Sequence, residues 1–491
     1  MSLDRRIVSG LFWVGLSSMV SRGLAFVARI ILLKLLLPDD FGIMQTAFLA
    51  LESLQLLREF GFSSALIYRK NDITEASHVT FWVTNGTSIV YWALAFFGAP
   101  LVAAFFRDPR ITPVVQVLSF VILIRSPGTV PMVLLAKDLD FRRRMLPDII
   151  PTLAYGIVAV ILAVMGFGVW ALVIAKLSEA LFDLSVPYLV TSYRPALRFS
   201  LPIAREMFGY GMNIVLSQVL IFAITNIDDV FVGRIVGVAA LGIYGTAYLL
   251  SNLPATNITG LINQVMFPAF TKMNEDIAYF RYTFFRTVHY VSLLTIPIAI
   301  LTMVFAADFV EVLDPVKWGA AVLPIQLLAV YGLCRSIAAN MGNVFKAGGK
   351  PQWLTYIAVW RLAMMLIFLY PVTVNWGVVG VSALSAIVAV VDWFISVWLT
   401  SKVIGGSLST YGRILLPLLL FAVLGAGAAY ALTQVLFTQA SWLSLVVAGT
   451  VGAGGYLILV LIFDREVRRV TQQGLTIGWS ILQSRLQMRN A

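Results

Sequence analysis

The stretch GIMQTAFLA, residues 42–50, returns without a gap as GIYGTAYLL at residues 242–250. Other matches follow in the same order and at a similar separation. They pair Phe167-Gly168-Val169 with Trp376-Gly377-Val378, and Arg125-Ser126 with Arg335-Ser336. Because the matched segments keep their order, the sequence predicts two copies of one structural unit.

Composition places these copies in a membrane. The 491 residues are 60% hydrophobic and only 12% charged, whereas about a quarter of the residues of a soluble domain are charged. A spanning helix needs about 20 apolar residues, and a backbone in lipid must satisfy its own hydrogen bonds. We therefore predict an all-α integral membrane protein with about 14 transmembrane helices. The apolar segments lie near 8–36, 42–66, 79–106, 112–136, 146–165, 168–190, 207–236, 241–266, 283–306, 322–345, 353–373, 376–400, 412–433 and 440–463.

The repeat divides the chain into four parts. Residues 1–200 form a predicted N-lobe of helices 1–6, and residues 201–403 form a C-lobe of helices 7–12. An even number of helices per copy lets both copies insert the same way up. Residues 404–464 add helices 13 and 14, and residues 465–491 form a basic amphipathic tail expected on the cytoplasmic surface.

The positive residues predict the orientation. Lys and Arg concentrate in the segments on the side of the N-terminus, and the opposite side holds only Arg107, Arg110 and Lys317. Cytoplasmic segments carry such an excess, so both termini are predicted to be cytoplasmic. The net charge of +11 is then explained by membrane orientation, and no nucleic acid partner is expected.

Several other classes of protein and site are disfavoured. No cleavable signal peptide is evident, a single cysteine allows no intrachain disulfide, and two distant histidines make a metal site unexpected. The stretch AGGKP, residues 347–351, lacks the upstream glycine and the Ser or Thr of a phosphate loop, so ATP is not expected to bind. No cofactor is expected, and coupling to protons, sodium or the membrane potential stays open.

Of the arginines within the predicted spans, where each charge costs about 2.5–3.5 kcal/mol at mid-helix, five are candidates for a binding site. We predict that they line an aqueous cavity between the two halves. Guanidinium groups bind phosphate in a bidentate manner, so the cavity suits an anionic cargo. These substrate-binding candidates are Arg22, Arg29, Arg125, Arg335 and Arg361.

Acidic residues also lie within the spans and offer the alternative that the arginines form structural ion pairs. Asp183 and Asp392 occupy equivalent positions in the repeat. Asp228-Asp229 takes the place of Ala28-Arg29, which suggests attraction between the lobes or a site for a coupling ion, and local pairing with Arg234 is the alternative. The candidates for gating or coupling are Glu52, Asp183, Asp228, Asp229 and Asp392.

Four short motifs resemble the polysaccharide-exporting branch of the MOP (multidrug, oligosaccharidyl-lipid, polysaccharide) flippases. They are LLLPDDFGIMQ at 35–45, LLAKDLDFRRR at 134–144, GFGVWAL at 166–172 and NWGVVGV at 375–381. SRGLAFVAR at 21–29 is also similar to the first-helix arginine motif of lipid II flippases. The resemblance implies V-shaped lobes and a non-enzymatic, multi-pass flippase of the bacterial inner membrane. Its cargo would be an undecaprenyl-diphosphate-linked oligosaccharide, the repeat unit of a polysaccharide.

Two other functions stay open at this point. One is a drug or small-solute antiporter of the same superfamily, although helix 1 carries arginines where drug exporters have acids. The other is a membrane glycan polymerase or ligase, although the loops leave little room for a catalytic domain. The partners expected of a flippase are the lipid-linked glycan, the bilayer and the polysaccharide polymerase or assembly machinery.

Overall fold

A computed structural model describes residues 3–58, 60–138, 140–273, 276–469 and 472, and these residues form helices with no β-strand. Among the described helices, 8 are long and apolar enough to cross a membrane. The predicted all-α, multi-pass membrane protein is therefore confirmed. A helix overlaps each predicted apolar segment, whereas most of the tail predicted at 465–491 lies outside the described residues.

The chain folds as two compact units. The first extends to Thr246 and includes Leu369–Val378, and the second comprises Ala247–Phe368 and continues from Val379. The predicted lobes at 1–200 and 201–403 follow the sequence repeat instead and stay a prediction. The helices that lie in or begin in the first unit are α1 Leu3–Leu35, α2 Pro38–Arg58, α3 Phe62–Tyr68, α4 Ile73–Phe106, α5 Ile111–Arg125, α6 Thr129–Lys137, α7 Phe141–Val164, α8 Val169–Val190, α9 Leu201–Phe231 and α10 Val238–Met273. The remaining helices are α11 Ile277–Val304, α12 Ala306–Leu313, α13 Pro315–Trp318, α14 Val322–Ala347, α15 Gln352–Ile404, α16 Leu408–Leu436 and α17 Trp442–Phe463.

In the first unit, α2 packs among α4, α5, α8 and α9, and α7 packs between α1 and α8. Pro38 begins α2, where its fixed φ suits a first helical turn, and Asp39 and Asp40 follow it. These acids lie at the positive end of the helix dipole. The oxygen Asp40 Oδ2 also accepts a hydrogen bond of 3.0 Å from the amide of Leu37. The start of α2, in the repeated stretch, is thus fixed locally.

Two glycines of the repeated stretch let α2 and α10 cross in close contact. A Cβ atom on Gly42 would overlap the carbonyl oxygen of Val238, and one on Gly242 would overlap the carbonyl oxygen of Pro38. Pro38 and Val238 are themselves equivalent positions in the repeat. The two copies therefore meet in a nearly symmetric crossing that leaves no room for a side chain.

In the second unit, α11 packs against α14, α16 and α17. Small residues let α16 and α17 approach, since a Cβ atom on Gly425 would lie 2.8 Å from the carbonyl oxygen of Gly452. Close approach between small residues is the usual basis of helix association in lipid. The hydroxyl of Tyr456 donates a 2.9 Å hydrogen bond to the carbonyl of Leu293 and ties α17 to α11.

Three predicted segments differ from the structure in their continuity. The predicted helix 42–66 is divided between α2 and α3, where Gly61 has a left-handed φ of 71°. The predicted helix 112–136 is interrupted by a 3₁₀ turn, Ser126–Gly128, because Pro127 cannot donate a backbone hydrogen bond. The two predicted helices at 353–373 and 376–400 run together as α15, which changes direction at Gly377.

The backbone at Gly377 repeats that at its sequence mate. Gly377 has φ 54° and ψ −139°, and Gly168, between α7 and α8, has φ 55° and ψ −134°. Few residues other than glycine adopt this region. A continuous α15 of 53 residues would be about 80 Å long, far more than the ~30 Å of hydrocarbon that one span crosses. We therefore treat α15 as two consecutive spans.

An arginine joins the loop after α4 to the start of α2. Arg110 Nε donates a 3.0 Å hydrogen bond to Asp108 Oδ1, and Arg110 Nη2 donates a 3.1 Å hydrogen bond to Asp39 Oδ1. The guanidinium lowers the pKa of the Asp108 carboxyl below its usual range. Because the ionised form is favoured in the folded state, the bridge stabilises the fold above the ordinary carboxyl pKa.

We expect Asp108→Asn to lower the melting temperature of the purified protein, and the difference from wild type to depend on pH. The difference should be constant above about pH 5 and should shrink as the pH falls below about 4, where the folded-state carboxyl also becomes protonated. Thermal unfolding measured across this range tests the expectation. Asp138→Asn, at an exposed position, is the control. A difference for Asp108→Asn that grows on acidification would contradict the expected sign.

Candidate functional site

Arg29 is held within the first unit by groups that carry no negative charge. Its guanidinium lies 4.3 Å from the centre of the Phe41 ring, and its Nη2 donates a 3.5 Å hydrogen bond to the hydroxyl of Thr246. Tyr155 of α7 interacts with it electrostatically. The Nε–H is buried and has no hydrogen-bond partner among the described residues. Arg29 is therefore a partly buried cation that retains a free hydrogen-bond donor among the described residues.

Two adjacent buried carboxylates, Asp228 and Asp229, lie near the end of α9. Tyr244 donates a hydrogen bond to Asp228, and Gln45 Nε2 donates one of 3.1 Å to Asp229 Oδ2. Gln45, Tyr244 and Thr246 all belong to the repeated stretches at 42–50 and 242–250. The repeat thus supplies polar partners to the buried charges of the first unit.

The other candidates of the first unit are more accessible. The Nε of Arg125, at the end of α5, lies 3.2 Å from Asp183 Oδ2 of α8, and half of the Arg125 side chain is exposed. Arg22 is exposed on α1, two turns before Arg29. Glu52 is exposed on α2, where Lys176 of α8 interacts with it electrostatically. The structure therefore gives Arg125 the carboxylate partner that the ion-pair alternative required.

Arg335 is the centre of a second group, in the second unit. Its Nη1 donates hydrogen bonds to the hydroxyls of Tyr248, at 3.0 Å, and Tyr331. The guanidinium also lies 5.7 Å from the centre of the Tyr331 ring. The single cysteine, Cys334, precedes Arg335 and is partly buried. Among the residues that the structure describes, these direct partners are uncharged hydroxyls, so no direct bond neutralises the positive charge of Arg335.

Arg361 and Asp392 form an ion pair in the second unit between the two halves of α15. Asp392 is buried, and its Oδ1 has no hydrogen-bond partner among the residues that the structure describes. Arg335 also interacts electrostatically with Asp392. Residues at equivalent positions of the repeat therefore have different partners. Arg125 pairs with Asp183, whereas Asp392, the equivalent of Asp183, pairs with Arg361.

We expect Arg361→Ala to destabilise the protein by about 2–3 kcal/mol, because a buried carboxylate loses its partner. This loss is smaller than that of breaking a fully buried ion pair, because 31% of the Arg361 side chain is exposed to solvent. The double variant Arg361→Ala/Asp392→Asn should recover most of this loss. Thermal unfolding of the purified variants measures both effects, with exposed Arg413→Ala as control. No recovery in the double variant would argue against the ion pair.

Sequence reasoning found the charged residues of these groups and missed their neutral partners. The partners are Phe41, Gln45, Tyr244, Thr246, Tyr248 and Tyr331. Two signals were available. Tyr331 lies four residues before Arg335, the spacing of neighbours on one helical face. The polar residues of the repeated stretches are the second signal, since polar groups within apolar spans need partners.

Residues 31–323 match the sequence profile of a family described as "Polysaccharide biosynthesis protein". The chain is 26% identical over 472 residues, 94% of this chain and 96% of the relative, to the teichuronic acid biosynthesis protein TuaB of Bacillus subtilis. It is 24% identical over 417 residues, 83% of each chain, to the lipopolysaccharide biosynthesis protein WzxC of Escherichia coli.

A solved structure shares the fold. The lipid II flippase MurJ, in an inward closed conformation, superposes with a TM-score of 0.65. The match covers 92% of this chain and 98% of that one at 11% sequence identity. At this sequence identity, the similarity shows only that the two proteins share an arrangement of helices.

Proposed function

We propose the function of this protein from its family. The chain belongs to the family of polysaccharide biosynthesis proteins, because residues 31–323 match the sequence profile of that family. It is a multi-pass flippase of the inner membrane that transfers a lipid-linked oligosaccharide from one leaflet to the other. Family membership and the names of TuaB and WzxC favour a glycan cargo over a drug or small solute. The MOP-type resemblance of the sequence motifs agrees with this assignment.

The observation that carries the mechanism is that two partly buried cations have neutral partners. Arg29 and Arg335 are bound by an aromatic ring and by hydroxyls, so each retains its positive charge for a ligand. A diphosphate cannot enter hydrocarbon unaided, because an ionised group loses its hydration there. Guanidinium N–H groups replace that hydration with charge-assisted hydrogen bonds. The diphosphate of an undecaprenyl carrier is the group that we assign to these arginines, with Arg22, Arg125 and Arg361 as further contacts.

The finer features of the mechanism are proposals as well. The protein crosses the membrane 14 times with both termini cytoplasmic, and it works by alternating access. It catalyses no reaction and uses no ATP or other cofactor. Asp228 and Asp229, two adjacent buried carboxylates, are the group at which a proton or sodium ion would couple to the cycle, with Glu52, Asp183 and Asp392 as gate residues. Polysaccharide polymerase or assembly proteins receive the flipped glycan.

The test is glycan export in cells whose own copy of the gene is deleted and replaced by variants. We expect Arg22→Ala, Arg29→Ala, Arg125→Ala and Arg335→Ala each to reduce surface polysaccharide and to leave lipid-linked oligosaccharide on the cytoplasmic leaflet. Full export by all four variants, at matched protein levels, would refute the assignment.

A paired variant separates the two roles of Arg125. If Arg125 only neutralises Asp183, its loss should add no defect once Asp183 is gone, and Arg125→Ala/Asp183→Ala should export as much glycan as Asp183→Ala alone. If Arg125 contacts the diphosphate, the double variant should export less glycan than Asp183→Ala alone. We expect the second outcome.

A further inference from the structure

An apolar cavity of about 460 Å³ lies in the first unit among α2, α4, α5 and α9. Ser53 is the one polar side chain among the described residues that line it. Its inner wall includes Leu49, Leu51 and Val115, all of them buried. Apart from Ser53, the described residues of these walls offer no side-chain hydrogen-bond partner to a polar ligand, whereas they can make van der Waals contacts with a hydrocarbon chain.

The cavity opens on a face of α4 that is apolar and exposed. Leu101, which lines the cavity, is 76% exposed, and Leu94 and Phe97 are exposed on the same face. An exposed apolar stripe on a membrane-spanning helix is a surface for lipid chains. The opening therefore admits an alkyl chain from the bilayer.

A cation lies at one end of the cavity. Arg234, in a π-helical turn that follows α9, has its guanidinium 5.3 Å from the centre of the Phe105 ring, and Phe105 lines the cavity. Val230, one turn before Arg234, lines it too. The Nη1 of Arg234 is buried without a hydrogen-bond partner among the described residues. The end of α4 at Phe106 and the charged loop after it indicate that this level is the membrane surface.

We propose that this site binds an anionic phospholipid of the bilayer, with its phosphate on Arg234 and one acyl chain in the cavity. The arrangement of charge and hydrocarbon matches that of a lipid in a leaflet, with the cation at the surface and the apolar space below it. One guanidinium suits a phosphodiester, and the apolar walls exclude a glycan. The site shares no residue with the proposed cargo site and does not depend on it.

The experiment measures lipid retention on the full-length purified protein by native mass spectrometry. Phosphatidylglycerol and phosphatidylcholine with identical acyl chains are offered in turn. We expect wild type to retain phosphatidylglycerol more tightly by about tenfold, because the choline cation of phosphatidylcholine offsets the attraction between its phosphate and Arg234, and we expect Arg234→Gln to abolish this preference. Lys317→Gln, in α13 of the second unit, is the matched control for loss of one positive charge.

A second pair of variants tests the cavity. Gly98 lines it, and a Cβ atom at Gly98 meets no atom within 4 Å, so Gly98→Leu should fill the space and weaken retention of both lipids. Gly86→Leu is the matched control, since Gly86 also lies on α4 with open space around it. An unchanged preference in Arg234→Gln, or unchanged retention in Gly98→Leu, would overturn the proposal. Complete displacement of phosphatidylglycerol by an equal amount of polyprenyl phosphate would overturn the phospholipid assignment.

Discussion

Arg29→Met is expected to reduce glycan export by about 10- to 100-fold and, at the same time, to raise the stability of the protein by about 1 kcal/mol. The two effects have one cause. Full burial of a cation costs several kcal/mol and partial burial costs part of that, whereas stacking on Phe41 returns about 2 kcal/mol or less. Methionine fills similar space without that cost, but it cannot bind a phosphate. Export assayed in cells and thermal unfolding of the purified protein measure the two effects.

Lys34→Met, at an exposed position on the same helix, is the matched control. It removes a positive charge from α1 and should change neither export nor stability appreciably. If Arg29→Met instead destabilised the protein and exported normally, Arg29 would be a structural residue. A variant of Arg29 that neither exported glycan nor folded stably would also count against our assignment, because loss of the folded protein would then explain the loss of export.

Gly42→Ala and Gly242→Ala are each expected to destabilise the protein by about 3 kcal/mol or more, because a methyl group would overlap backbone atoms of the opposite helix. The two overlaps belong to one crossing. Once α2 and α10 have moved apart for the first methyl group, the second adds little, so the double variant should fall short of the sum. Yield of folded protein and its thermal unfolding are the measurements.

Gly86→Ala is the control for this series, since an added Cβ atom there meets nothing within 4 Å. It should be neutral or slightly stabilising, as alanine favours helix over glycine. Additive effects of Gly42→Ala and Gly242→Ala would show that the two glycines act at separate contacts. Tolerance of both changes would show that the crossing can open at little cost.

The sequence predicted the helices well because a span is specified by its own length and apolarity. The interruptions were harder to predict. Pro127 breaks the predicted helix 112–136 into α5 and α6, yet Pro297 lies within an unbroken α11. The packing around each proline decides the outcome, and packing is set by helices distant in sequence. Gly61 shows the same limit, since glycine permits a left-handed turn without requiring it.

The candidate site was predictable to a similar extent. A charge within an apolar span is conspicuous in the sequence, so the arginines and acids could be named. Their pairing could not be predicted, because partners such as Arg361 and Asp392, or Arg29 and Thr246, lie on different spans and are far apart in sequence. Tyr331 is the exception, since a residue four positions before Arg335 on a helix must lie beside it.

The position of Cys334 gives this protein a built-in attachment point for a spectroscopic label. It is the only cysteine in the chain, so a thiol-directed probe reacts at one place, and that place adjoins Arg335. A fluorophore there would report changes of hydration around the arginine during turnover. A cysteine-free background needs one substitution, after which pairs of spin labels can be introduced at will to follow distances within the working protein.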